Sequence, residues 1–128
     1  MMYSLNSVES DSDVHTKEKM VEEKVDPIIV IADSVTEIKK GAFEYYNISK
    51  IVLPKTLKAI QNDAFSGCVK LSTIIIPDSV TFIGEGSFSG CFSLNEIKIP
   101  EKVNSIQNRT FYDCKSLKKI AISNNVTF

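Results

Sequence analysis

A chain of 128 residues with 43% apolar and 24% charged side chains has the length and composition of one folded domain with its own core. Its net charge of −1 excludes a basic nucleic-acid surface as the main feature. No stretch reads as a transmembrane segment, and MMYSLNSVESDSD lacks the basic start and apolar run of a signal peptide.

The charge is divided unevenly. Residues 1–26 carry seven acids against three lysines, net −4, while residues 27–128 carry nine acids against twelve bases, net +3. Residues 1–27 therefore read as an acidic leader or capping helix. The run SDVHTKEKMVEEK, residues 12–24, holds good helix formers, with Ser12 or Asp13 as the N-cap and Val14, Val21 and Val25 on one face. Asp26-Pro27 ends any such helix, because the residue before proline avoids the α region.

Residues 28–128 form a second segment built on a repeat. Successive copies read IVIADSVTEIKKGAFEYYNISK, IVLPKTLKAIQNDAFSGCVKLST, IIIPDSVTFIGEGSFSGCFSLNE and IKIPEKVNSIQNRTFYDCKSLKK, and a partial fifth reads IAISNNVTF. The period is 23 residues, with the first copy one residue short. Aligned, the copies give apolar columns: Ile31, Leu53, Ile76, Ile99, Ile122; Val35, Leu57, Val80, Val103, Val126; Ile38, Ile60, Ile83, Ile106; Phe43, Phe65, Phe88, Phe111; and Ile48, Leu71, Leu94, Leu117. A column of like residues at a fixed period means that copies stack and share one core. The I-x-I/L motif alternates as a short strand does, so its outer residues face inward and its middle residue outward, and consecutive strands lie parallel. The Val-x-x-Ile segment runs extended on the opposite side. The A-F-S-G-C stretch is expected to form a tight helical turn carrying phenylalanine inward. In the first copy Tyr45-Tyr46 replace Gly-Cys, either as a resting place for a cap or ligand or simply as filling.

The arrangement L-x-x-I-x-I-P-x-S-V-x-x-I-G-x-x-A-F-x-G-C, matched closely by residues 71–91 and with substitutions by residues 48–70 and 94–117, resembles the BspA-type leucine-rich repeat. That resemblance implies an α/β leucine-rich-repeat solenoid with a short parallel β-sheet on one face. It also implies a surface protein that binds host matrix or other proteins, in a family without a shared catalytic site.

Other chemistries are weaker. Cys68, Cys91 and Cys114 fall in one column, which suits a structural thiol ladder better than converging zinc ligands, and their odd number is a poor disulfide framework. His15, the single histidine, lies in the leader, too remote for a nucleophile-activating pair. Gly84-Glu85-Gly86 lacks the length and context of a phosphate loop. The expectation is no enzyme, no metal and no cofactor. The missing signal favours a reducing compartment or an unconventional exit. The sequons at Asn47, Asn108 and Asn125 pull the other way, so cytoplasmic and surface-associated locations both stay open.

The free residues are those the core does not consume: Val30, Val52, Ile75 and Lys98 in the middle of the strands, and Lys50, Thr73, Glu96 and Lys119 just before them. Three adjacent outward aliphatics are the kind of exposed patch that marks an interaction site, although strand propensity alone also favours them. Two functions follow. The first is a module binding a protein ligand through this face. The second is a structural unit that self-assembles as a homo-oligomer through its open C-terminal repeat.

Overall fold

The computed structural model describes residues 2–5, 28–123 and 126. The 12–24 helix, its caps, His15, the Asp26-Pro27 stop and most of the Asn125 sequon lie outside the described residues. The elements in chain order are β1 (Met2–Leu5), β2 (Ile28–Ile31), β3 (Glu37–Ile38), β4 (Lys50–Val52), β5 (Ala59–Ile60), β6 (Phe82–Ile83), β7 (Glu96–Lys98) and β8 (Lys119–Ala121).

All pairings are parallel. One face carries β1-β2-β4 and, further along, β7-β8; the opposite face carries β3-β5-β6. Registers join Ile28 to Lys50 and Glu37 to Ala59 between the first two copies, then Ala59 to Phe82 and Glu96 to Lys119 between later ones. β1, which the sequence reading did not anticipate, pairs Met2 with Ile28 through Leu5 with Ile31.

The core lies between the two faces and consists of the repeat columns. Ile38, Ile48, Leu57, Ile60, Leu71 and Leu94 are fully buried. Phe43, Phe65, Phe88 and Phe111 stack face to face, with centroids 5.5, 5.4 and 6.0 Å apart and rings within 12° of parallel. Such offset contacts add about 0.5–1.5 kcal/mol each beyond area burial. Tyr46 closes the ladder's first end with its edge against Phe43 at 5.2 Å, so it fills core volume, while Tyr45 stays exposed and lies over Gly67.

The expected helical component is absent. No helix occurs among the described residues, and the α/β assignment gives way to parallel strands joined by turns. The reason is visible in the backbone. Gly41, Phe43 and Tyr45 donate their N–H groups to Asn62, Ala64 and Ser66 of the next copy, not back along their own chain. Asp63, Phe65 and Gly67 donate likewise to Glu85, Ser87 and Ser89, and Gly86, Phe88 and Gly90 to Asn108, Thr110 and Tyr112, at 2.7–3.0 Å. Only the intervening residues bond three positions back, as Ala64 does to Gln61. The turn's first and fifth residues take the left-handed conformation: Gly41 and Tyr45, Asp63 and Gly67, Gly86 and Gly90, Arg109 and Asp113, with φ from 58° to 74°. An α-helix requires right-handed φ/ψ and i→i−4 bonds throughout, and this turn satisfies neither.

At Gly84 backbone meets backbone of the preceding copy. A Cβ there would meet the Asn62 backbone nitrogen at 2.5 Å, and its N–H bonds to Ile60 O at 2.8 Å. Beside it, Asn62 Oδ1 accepts the Glu85 N–H at 2.9 Å. Ser87 occupies the column of Ala42 and Ala64, fully buried, and its hydroxyl has no hydrogen-bond partner. The expected outcomes oppose each other. Ser87→Ala raises stability in urea by about 1 kcal/mol, the cost of an unsatisfied buried hydroxyl. Gly84→Ala lowers it by about 1–3 kcal/mol through overpacking.

The thiols complete the core. Cys68, Cys91 and Cys114 each donate to the carbonyl of the phenylalanine in the preceding copy, Phe43, Phe65 and Phe88, at 3.1–3.2 Å. Burial pushes the Cys91 thiol far up, and the neighbouring Cys68 and Cys114 add to that; Cys114 rises, mainly by burial, to about 11. A raised thiol pKa favours the folded state while the thiol keeps its proton. That contribution is full below the ordinary value of 9.0 and is lost as pH rises through about 11. Melting temperature therefore falls between these values, and it falls less steeply in a Cys91→Ala/Cys114→Ala variant than in the parent. Equal slopes would show that the thiols do not titrate with unfolding.

Candidate binding face

Strand alternation sorts the candidate residues outward. In β4 and β7 the middle residues Ile51 and Ile97 are buried, and Lys50, Val52, Glu96 and Lys98 on either side of them are exposed. Val30 is half-buried on β2, in register with Val52. Thr73 and Ile75 are also exposed, Ile75 by 85% and Val52 by 41%. The charged end is ordered by register, with Glu96 opposite Lys119 and Lys98 opposite Ala121. Opposite charges in paired positions support a sheet by about 0.2–1 kcal/mol.

The face is not continuous. Thr73–Ile76 belongs to no strand, so the structure splits the expected ladder into a β1-β2-β4 half holding Val30, Lys50 and Val52 and a β7-β8 half holding Glu96, Lys98 and Lys119. Between Lys50–Lys55 and Thr73–Ser79 lies an open cleft of about 520 Å³. Its walls include Ile51, Leu53, Ile74 and Ile76, with Lys50 and Lys55 on one side and Asp78 on the other.

The split is local. Elsewhere the same seam is bonded, at Thr81 N to Lys58 O (2.8 Å), Gly84 N to Ile60 O (2.8 Å), Phe65 N to Ser87 O (2.8 Å) and Ser93 Oγ to Val69 O (2.7 Å). The preceding seam has an additional clasp, because the Thr56 hydroxyl reaches the carbonyls of Asp33 and Val35 at 2.5 and 2.8 Å. Ser79 occupies the position of Thr56 in the next copy, and its buried hydroxyl has no partner.

Sequence reasoning put the outward residues on one face and did not indicate the cleft, and with it Lys55, Asp78 and Ser79. The one trace of it in the sequence is the replacement of Thr56 by Ser79 in a clasp column. Among the described residues, no group of three or more His, Cys, Asp or Glu side chains is placed to hold a metal ion, and no helix is long and apolar enough to cross a membrane.

Comparison with known proteins places this geometry. None of the curated proteins compared with the chain matches it. A leucine-rich repeat protein from T. pallidum shares 25% identity and a TM-score of 0.57, over 78% of this chain and 56% of that one. A leucine-rich repeat protein from Eubacterium ventriosum ATCC 27560 shares its fold with a TM-score of 0.61 at 22% identity, over 73% of this chain and 32% of that one. The chain thus spans about half the length of the first and about a third of the second. The model of the BspA type leucine rich repeat region matches residues 27–128. With its stacked columns, parallel strands and that match over most of its length, the chain belongs to the BspA type leucine-rich repeat family.

Proposed function

We propose that the strand face is a protein-binding surface on a solenoid of 23-residue coils, and that residues 1–27 are a segment outside the repeats whose β1 extends the first copy's sheet. The observation that carries this reading is Ile75, exposed by 85% across the cleft from the exposed Val52, on a face that also holds the half-buried Val30 and the exposed polar Lys50, Thr73, Glu96, Lys98 and Lys119. A small aliphatic patch rimmed by charge has the make-up of a recognition site. The partner is a protein, of the host or matrix class that the family resemblance implies, and the chemistry is binding without catalysis. In the variant Val52→Lys/Ile75→Lys, stability changes by less than about 0.5 kcal/mol, as for other exposed substitutions. Partner capture from host and cell extracts drops at least about tenfold, a loss of ~1.4 kcal/mol. Undiminished capture by a folded variant overturns the reading.

A second reading rests on β8. Ile120 and Ile122 are exposed by 39% and 40%, whereas their counterparts Ile97 and Ile99 are 3% and 2% exposed. Together with the edge of β8 that carries no strand among the described residues, they offer a surface on which a second copy can stack. Light scattering then shows association that grows with concentration and is lost in Ile120→Lys/Ile122→Lys. A monomer throughout the range counts against it.

A further inference from the structure

The cleft between the second and third copies presents peptide backbone, not only side chains. β4 is the last strand of the β1-β2-β4 sheet, so its edge toward Thr73 has no strand partner. Across the opening, Thr73–Ile76 is extended chain outside any sheet. Both walls therefore offer N–H and C=O groups at the strand repeat, lying against apolar side chains. The inward residues here, Leu53, Ile74 and Ile76, are 6–8% exposed, while the core columns Leu57, Ile60 and Leu71 are fully buried. The opening thus reaches the edge of the core. Unpaired backbone beside apolar surface is costly to leave bare, and an added strand satisfies both at once.

We propose that this cleft receives an extended segment of the partner protein, laid along the free edge of β4 as a fourth strand of the β1-β2-β4 sheet. The proposal deepens the strand-face reading and rests on it. The walls define the occupant's chemistry. Its backbone pairs with Lys50–Leu53. Alternate side chains are aliphatic, because they meet Val52 on the open side and Ile74 and Ile76 within. The end beside Lys50 carries a carboxylate, because Lys50 stands exposed at the start of β4, whereas at the other end Lys55 shares its repeat column with Asp78. The seam stays bonded from Lys58–Thr81 onward, so widening to admit a strand, about 4.8 Å from β4, is a local hinge that leaves the phenylalanine ladder closed.

The test uses the full chain and a phage-displayed library of random twelve-residue peptides, followed by synthesis of the strongest binder. Strand addition predicts that selected peptides alternate aliphatic residues and carry an acid near one end. It predicts at least about tenfold weaker binding when alternate peptide nitrogens are methylated, because methylation removes donors and leaves side chains in place. It also predicts that binding slows amide exchange in Lys50–Leu53. No selected peptide, equal binding of the methylated form, or protection confined to other segments overturns the proposal. So does self-association of the protein alone that protects the same amides, since the occupant is then a second copy. The two levels separate cleanly. If methylation has no effect while Val52→Lys/Ile75→Lys abolishes partner capture, the strand face stands and the strand-addition mode falls. If the double variant captures its partner normally, the strand-face reading itself falls.

Discussion

The structure depends on one hydrogen-bonding choice, made in the turn that follows each Val-x-x-Ile segment. In the first three of these turns alternate N–H groups leave their own copy for the next, as Phe43 does to Ala64, Phe65 to Ser87 and Phe88 to Thr110. This ladder fixes the distance between copies on the side where the phenylalanines lie, and the rings stack 5.4–6.0 Å apart as a result. The same choice requires left-handed residues at both ends of the turn, brings Gly84 against the Asn62 backbone, and aims each thiol at the phenylalanine carbonyl one copy earlier. A helix in the same place would satisfy its own backbone and leave the copies joined by side chains alone.

That choice also explains what could be read in advance. Stacking places equivalent residues in equivalent surroundings, so the columns of Ile, Val, Leu and Phe announce the core, and Leu71, Phe88 and Leu94 are buried where the periodicity puts them. Period-2 alternation at Lys50–Val52 and Glu96–Lys98 likewise gives the outward residues. Read locally, A-F-S-G-C suits a tight helical turn. The acceptors that decide otherwise sit a full copy away, beyond any local pattern. β1 escaped notice for a similar reason, since Met2–Leu5 does not repeat and its only signature is a partner strand more than twenty residues on.

The cleft was hidden by the most persuasive strand in the sequence. Ile74-Ile75-Ile76 has higher β propensity than Lys50-Ile51-Val52 or Glu96-Ile97-Lys98, yet it is the segment without a strand partner. Propensity describes how a residue suits a pleated surface and does not say whether the neighbouring edge is in reach. At the turn after Pro77, Ser79 lacks the contacts that Thr56 makes one copy earlier. A hydroxyl bond of this kind contributes on the order of 1 kcal/mol. That is small against the folding energy of a domain, yet comparable to what decides whether one short parallel pair forms.

The division between core and face then acquires a physical meaning for binding. A fully paired strand face would present side chains alone, and a partner would have to recognise Val52 and Ile75 across a flat, narrow surface. With the third copy's strand unpaired, the face also offers backbone groups whose spacing is fixed by the bonded remainder of the seam. The β4 edge is held by its pairing with β2 before any ligand arrives, so the cost of binding lies in ordering the incoming segment and opening the third copy's wall. Side chains along the walls can select among such segments, because a strand displaced by one residue turns its aliphatic side chains to the wrong face. Affinity would come from the backbone and discrimination from Val52, Ile75 and the flanking lysines, a separation that lets one repeat scaffold change partners by changing only the few residues the core does not use.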